Sequence, residues 1–151
     1  MKKIEEYFRR LKQQVPYFNY HNETRMIVSM IDRFVPNKDI AVLDVGCGHG
    51  RNITALKEKG FTKITGVDKN PETIALNKRN GHACIHFSEL KKEEKFDLIV
   101  MSHIIEHFIP QDLIPFMENY LDHLKEGGFV AIATPMISAP KFYSDLDHVK
   151  A

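Results

Sequence analysis

The sequence predicts an α/β fold, a doubly wound parallel sheet of five recognisable strands in a three-layer α/β/α arrangement. Three observations carry this. From residue 40 onward, short apolar runs alternate with stretches of helical periodicity. The run Phe96 to Met101 is almost continuously apolar, as in a strand covered on both faces. The first run, ending in Val42-Leu43-Asp44-Val45, breaks into Gly46-Cys47-Gly48-His49-Gly50, a glycine turn that leads into a helix.

The elements follow in order. Ile4, Tyr7, Phe8, Leu11 and Val15 recur at helical spacing, and the helix they predict stops at Pro16. Tyr17, Phe18 and Tyr20 form an aromatic link that reads as core packing. Asn22 caps a second helix whose expected apolar face is Met26, Ile27, Met30, Ile31 and Phe34; Pro36-Asn37-Lys38-Asp39 breaks it. Ile40 to Val45 is the first strand, Arg51 to Lys59 a short helix closed by Gly60, and Lys63 to Val67 the second strand, ending at Asp68. Asn70-Pro71 starts a helix that runs to Asn80-Gly81. Ala83 to Phe87 is the third strand, Ser88 to Lys95 a solvated loop or poor helix, and Phe96 to Met101 the fourth strand. After Pro110 comes a helix with Leu113, Ile114, Phe116, Met117, Tyr120, Leu121 and Leu124 on its apolar side, terminated by Gly127-Gly128. Phe129 to Ala133 is the fifth strand, stopped by Pro135. No repeat or linker divides the chain. It reads as a single domain over 1–151, with an N-terminal helical segment at 1–38, a core at 40–135 and a tail at 136–151.

Composition narrows the function. With 151 residues and a net charge of +1, nothing points to electrostatic binding of nucleic acid or a membrane surface. The two cysteines, Cys47 and Cys84, have no partner at metal-binding spacing and read as free thiols of a reducing cytosol. The N-terminus is charged and lacks an apolar signal core, and no apolar run is long enough to span a bilayer. A cytoplasmic protein is expected.

The glycine turn is the chemical centre, because open α/β sheets bind ligands at the carboxyl ends of their strands. A dinucleotide fingerprint needs glycine where Arg51 stands, and no Gly-Lys-Ser/Thr follows to make a P-loop. Gly66-Val67-Asp68 puts an acceptor-only carboxylate at the end of the second strand, suited to ribose hydroxyls. Phe96-Asp97-Leu98-Ile99-Val100-Met101-Ser102-His103-Ile104-Ile105-Glu106-His107 joins the fourth strand to a Glu-His pair.

Together these segments resemble the class I S-adenosylmethionine (SAM)-dependent methyltransferases, a Rossmann-like family, and in motif style its small-molecule O-methyltransferases. The likeness runs from Ile40 to Pro135. It implies SAM as cofactor, held by Asp44, Gly46, Cys47, Gly48 and Gly50 at the turn and by Asp68 and Lys69 after the second strand. It also implies Ser88 or Glu89 toward the adenine amino group, and Ser102 and His103 toward the methionine part. A β-branched residue in place of Gly46 is expected to abolish SAM binding by blocking close backbone approach. Methyl transfer depends mainly on alignment of the acceptor, a small molecule in this reading. A general base is needed only for a hydroxyl or protonated amine. His103, His107 and His148 are candidates, and His107 is favoured by its place beyond the fourth strand.

Other readings share these residues. A SAM-binding module without catalysis uses the same turn. The segment His103-Ile104-Ile105-Glu106-His107 also spells H-x-x-E-H, a zinc-peptidase pattern, but it follows a strand directly and Pro110 leaves room for only a short helix. It is also close to the Glu/His cluster of some metal-dependent RNA-terminal 2′-O-methyltransferases, with His103 where theirs has Glu; no metal is expected. The chain has no Asn-Pro-Pro-Tyr motif after the fourth strand, which argues against methylation of DNA bases. The family's sheet usually continues past the fifth strand as a hairpin, for which the tail, with Phe142-Tyr143 and His148-Val149-Lys150, has no counterpart. The expectation is a truncated chain, or a fifth-strand edge covered by the tail or by a second subunit in a homodimer.

Overall fold

The computed structural model describes residues 20–135. The helix expected over residues 4–15, the aromatic pair Tyr17 and Phe18, and the tail from residue 136 lie outside them. The order is α1 (Tyr20–Phe34), β1 (Ala41–Val45), α2 (Arg51–Glu58), β2 (Lys63–Asp68), α3 (Pro71–Arg79), β3 (Ala83–His86), β4 (Phe96–Ser102), α4 (Pro110–Leu121) and β5 (Leu124–Ala133). Single 3₁₀ turns follow β3 (Phe87–Glu89) and β4 (Ile105–His107).

All strand pairs are parallel, in the order β3-β2-β1-β4-β5. The chain winds outward from β1 through β2 to β3, then returns to the other side for β4 and β5. The crevice at β1, where the order reverses, lies at the carboxyl ends of the strands. Alternate residues feed two apolar layers. Val42, Ile64, Leu98 and Val100 pack with Ile27, Val28 and Ile31 of α1, Leu56 of α2 and Ile74 of α3. Leu43, Val45, Val67, Ile99 and Met101 pack with Tyr120, Phe116 and Met117 of α4. Burial on both faces is why β1 and β4 read as nearly continuous apolar runs, interrupted by Asp44 and Asp97.

The predicted caps of the central helices are present. Asn70 Oδ1 accepts the Glu72 N–H at 2.9 Å with Pro71 in the first turn of α3, and Gly60 takes φ +93° after α2. Asp97 explains the Phe-Asp pair that opens β4. Its Oδ2 accepts the Ala41 N–H at 2.8 Å and pairs with Lys125 Nζ at 2.9 Å, which ties the start of β1 to β4.

Two expectations need correction. Asn22 lies within α1, not at its cap. The face of α1 that packs is Ile27, Val28 and Ile31, continued by Val35, while Met26, Met30 and Phe34 are exposed. Both stripes are apolar at helical spacing, and only the sheet chooses between them. At the other end, α4 stops at Leu121, and Leu124 already pairs with Phe96 in β5. The register then slips, so that Leu98 lies opposite Phe129. Gly127 (φ +72°) and Gly128 belong to this bulge and do not terminate the helix.

Candidate cofactor site

β1 delivers the turn at the switch point. The Cys47 N–H bonds to Val67 O at 3.1 Å and the Gly50 N–H to Cys47 O at 2.9 Å, so the turn is fastened to β2 and closed on itself. Gly46, Gly48 and Gly50 all have positive φ, at +65°, +51° and +75°. What surrounds each differs. A Cβ on Gly46 would lie 2.3 Å from Ile104 Cδ1. One on Gly50 would lie 2.1 Å from Asn77 Oδ1. One on Gly48 would meet only Gly46 O, at 3.9 Å. The backbone favours glycine at all three, and at the first and third a Cβ would in addition meet Ile104 and Asn77. Gly48 alone has open space over its α-carbon, and that is where a ligand can come close. A β-branched residue at Gly46 would also meet the tip of Ile104 and carry the strain of φ +65°, which adds to the blocked approach expected above.

Gly48 is held from both ends of its backbone. Its N–H donates to Asp68 Oδ2 at 3.0 Å. Its carbonyl accepts from Asn77 Nδ2 at 2.7 Å. Asp68, at the end of β2, takes the Asn70 N–H on Oδ1 at 2.8 Å. A carboxylate oxygen has two lone pairs. Each oxygen of Asp68 thus keeps one acceptor position beyond these bonds.

Asp44 lies below the turn and is fully buried. Asn52 Nδ2 reaches its Oδ1 at a long 3.4 Å, and Oδ2 has no hydrogen-bond partner. Burial first, and the charge of Asp68 further down, push its carboxyl from 3.8 up to about 7, against the opposing bond from Asn52. A buried acid oxygen without a donor, beneath an open glycine and beside a ribose-type carboxylate, fits a donor-rich, cationic nucleoside such as SAM.

The remaining predicted residues divide. Cys47 contributes its backbone to the turn, but its thiol points into the core and lies 3.4 Å from Cys84 Sγ. The bare α-carbon of Gly66, opposite Cys84 on β3, makes the space. Contact with Cys84 and burial push the Cys47 thiol up. Lys69 and Glu89 line a cavity of about 430 Å³ between α3 and the end of β3, together with Pro71, Ile74, Ala75 and His86. Ser88 is not among its lining residues; its hydroxyl bonds to His86 Nδ1 at 2.7 Å, which favours Glu89 of the two adenine candidates.

Beyond β4, His103 has φ +55°, and its N–H bonds to Ala133 O at 2.8 Å. Nδ1 pairs with Glu106 Oε1 at 3.3 Å and Nε2 with Glu23 Oε2 of α1 at 3.0 Å. Glu106 is buried, and its Oε2 accepts from Thr134 Oγ1 at 3.1 Å. The bond to Glu106 and the charge of Glu23 raise the pKa of His103 above its usual 6.5, despite partial burial. Burial pushes Glu106 up, but His103, the backbone and the charge of His107 together outweigh it and hold the carboxyl low. The H-x-x-E-H segment spans a strand end and a 3₁₀ turn, so its two histidines do not share an α-helical face. Among the described residues, no three His, Cys, Asp or Glu side chains are gathered as a metal would require. No described helix is long and apolar enough to cross a membrane.

Sequence reasoning missed Asn52, Asn77 and Ile104. Each acts on the turn through a side chain whose direction the pattern of residue types does not give.

Comparison with known proteins identifies the family and the fold. A family model described as a methyltransferase domain matches residues 18–148. A ubiquinone biosynthesis O-methyltransferase from Rickettsia canadensis is 33% identical over 102 residues, covering 63% of this chain and 42% of the relative. A ribosomal protein L11 methyltransferase from Lactobacillus helveticus is 28% identical over 137 residues, 84% of this chain and 42% of the relative. The chain thus spans about two fifths of the length of these curated relatives. Among solved structures, a SAM-dependent methyltransferase from Archaeoglobus fulgidus superposes with a TM-score of 0.68 at 23% identity, over 85% of this chain and 62% of that one. At that identity the likeness establishes the shared fold.

Proposed function

The chain belongs to the methyltransferase-domain family, and from that premise we propose that it binds SAM and transfers its methyl group to a small-molecule acceptor. One observation carries the reading. Gly48 presents an open α-carbon while its N–H fixes the Asp68 carboxylate beside it. A nucleoside can lie against that backbone and place its ribose hydroxyls on Asp68.

When bound, SAM supplies a methyl group on a positive sulfur, which needs no activation by the protein. The chain's own residues orient and shield. Asp68 would take the ribose, and Lys69 and Glu89 would border the purine. The backbone near Ser102 and His103, whose His103 N–H is already bonded to Ala133 O, would face the amino-acid end. Asp44 supplies negative charge below the turn. For a hydroxyl acceptor, His107 is the general base of this proposal. Both ring nitrogens of His103 are already paired with the Glu23 and Glu106 carboxylates, which leaves neither turned to an acceptor.

Calorimetric titration with SAM tests the reading, with Gly48→Ala as the discriminating variant. Wild-type binding that Gly48→Ala loses supports it. No binding by wild type, with zinc in the purified protein, would overturn it in favour of the zinc-hydrolase alternative. Binding without turnover on hydroxyl, carboxyl and amine acceptors would mark a non-catalytic SAM-binding protein. The near-zero net charge supports a small acceptor over nucleic acid or a membrane. The unbridged thiols of Cys47 and Cys84 support a cytoplasmic setting. The exposed Phe129 and Ile132 on β5 support a homodimer that covers this edge.

A further inference from the structure

We propose that Asn77 is a positioning residue for the nucleoside half of the ligand, acting through the Gly48 peptide on Asp68; this rests on the SAM reading above. Asn77 stands in the second half of α3 and is 0% exposed. Its Nδ2 donates to two carbonyls, Gly48 O at 2.7 Å and Thr73 O at 3.0 Å. Two carbonyl partners fix which end of the amide carries the nitrogen. Its Oδ1 has no hydrogen-bond partner and occupies the space that a side chain on Gly50 would need.

A fully buried helix position with an unmet acceptor is unfavourable, because the oxygen loses its solvation and gains no donor. An apolar side chain of the same size would avoid that loss. What Asn77 supplies is a grip on Gly48. Packing does not hold Gly48, since its α-carbon faces open space. Its left-handed conformation rests on bonds in the two peptide planes that flank its α-carbon. Asn77 Nδ2 donates to the carbonyl, with Cys47 Sγ at a long 4.0 Å. The plane of the N–H is held by Asp68 and by the Gly50 N–H on Cys47 O. Without the bond from Asn77, the carbonyl plane is loosened and the Gly48 torsions that aim the N–H at Asp68 are less firmly fixed, so that second bond weakens. Asp68 then relies more on the Asn70 N–H, and its carboxylate is held less firmly at the crevice. The chain from Asn77 to the ribose is therefore amide, Gly48 carbonyl, Gly48 N–H, carboxylate.

The test compares Asn77→Ala and Asn77→Leu with Phe61→Leu. Phe61 is fully buried at the amino end of β2, away from the crevice, and controls for lost stability. Asn77→Leu keeps the branched outline with bulkier methyls in place of the amide, so it probes the lost hydrogen bond without leaving a cavity, and Asn77→Ala probes it without overpacking. Calorimetry with S-adenosylhomocysteine reads affinity, and amide exchange of Gly48 in the ligand-free protein reads the clamp. We expect roughly tenfold weaker binding in both Asn77 variants, the loss of about one hydrogen bond, with faster Gly48 exchange. Phe61→Leu should lower the Tm yet keep affinity within about twofold, far less than one lost hydrogen bond. Asn77 variants that bind no worse than Phe61→Leu overturn the proposal. If wild type binds no ligand, the SAM reading fails. The Gly48 amide then decides the clamp by itself: faster exchange in Asn77→Leu than in Phe61→Leu supports it, and equal exchange overturns it.

Discussion

Asp44→Asn should make the ligand-free protein more stable at alkaline pH while weakening its hold on a cationic ligand. The Asp44 carboxyl is fully buried, its Oδ2 lacks a donor, and its pKa rises from 3.8 to about 7. A raised carboxyl pKa means that the folded state binds a proton that the unfolded state has released. Stability from this group is therefore full below 3.8, falls as pH rises toward about 7, and stays low above it. The interval corresponds to roughly 4 kcal/mol, an upper bound because buried sites relax. Asparagine has the same shape and no charge, so it escapes this loss. Urea unfolding of both proteins from pH 4 to pH 9 measures it. The gap between variant and wild type should be small at pH 4, widen through pH 7 and level off. A flat gap, or a wild type more stable at pH 8, would refute the reasoning. Calorimetry at pH 8 should show weaker SAM binding by the variant, the trade of stability against function expected at a binding site.

Other outcomes follow from other contacts. Gly46→Ala should lower stability because its Cβ meets Ile104; adding Ile104→Ala should restore part of the affinity for SAM, which no clash with a ligand would allow. Gly48→Ala should lose affinity at a stability loss of only about 1–2 kcal/mol, the strain of a left-handed alanine. Since His103 has a raised pKa, its pairing stabilises the fold fully below 6.5 and loses this as pH rises through the folded value. Glu23→Gln should therefore lower thermal stability at pH 6 but hardly at pH 9, by at most about 1 kcal/mol because Glu23 is half exposed. Light scattering over a concentration series should detect dimers if β5 is a subunit edge, and Phe129→Lys should remove them; a monomer at every concentration would end that proposal.

Much of the core was legible because its signals are local. Strands covered on both faces announce themselves as apolar runs, and Asn70-Pro71 specifies a helix start within two residues. The turn was legible as a turn, and Asp44 and Asp68 as its acids. The division of labour among its glycines was not, because Ile104 and Asn77 reach them from elements far along the chain. The burial of α1 was misjudged for a related reason, since Met26 and Ile27 are equally apolar neighbours and the sheet selects Ile27. Leu121 and Leu124 keep helical spacing across a break where Leu124 turns to pair with Phe96. Tertiary pairing overrode a local rhythm there.

The sheet order also sets when the turn can exist. β1 pairs on one side with β2, which follows closely, and on the other with β4, where Leu43 lies opposite Ile99. Closing that second pair must gather the whole intervening βαβ segment, and non-local parallel pairing is slow. A chain emerging from synthesis can form α2 and α3 early, yet Ile104, which packs over Gly46, arrives only after β4 docks. In a refolding experiment, ligand binding should therefore lag behind the recovery of helix. A nucleoside added during refolding reports on the last seam of the sheet to close.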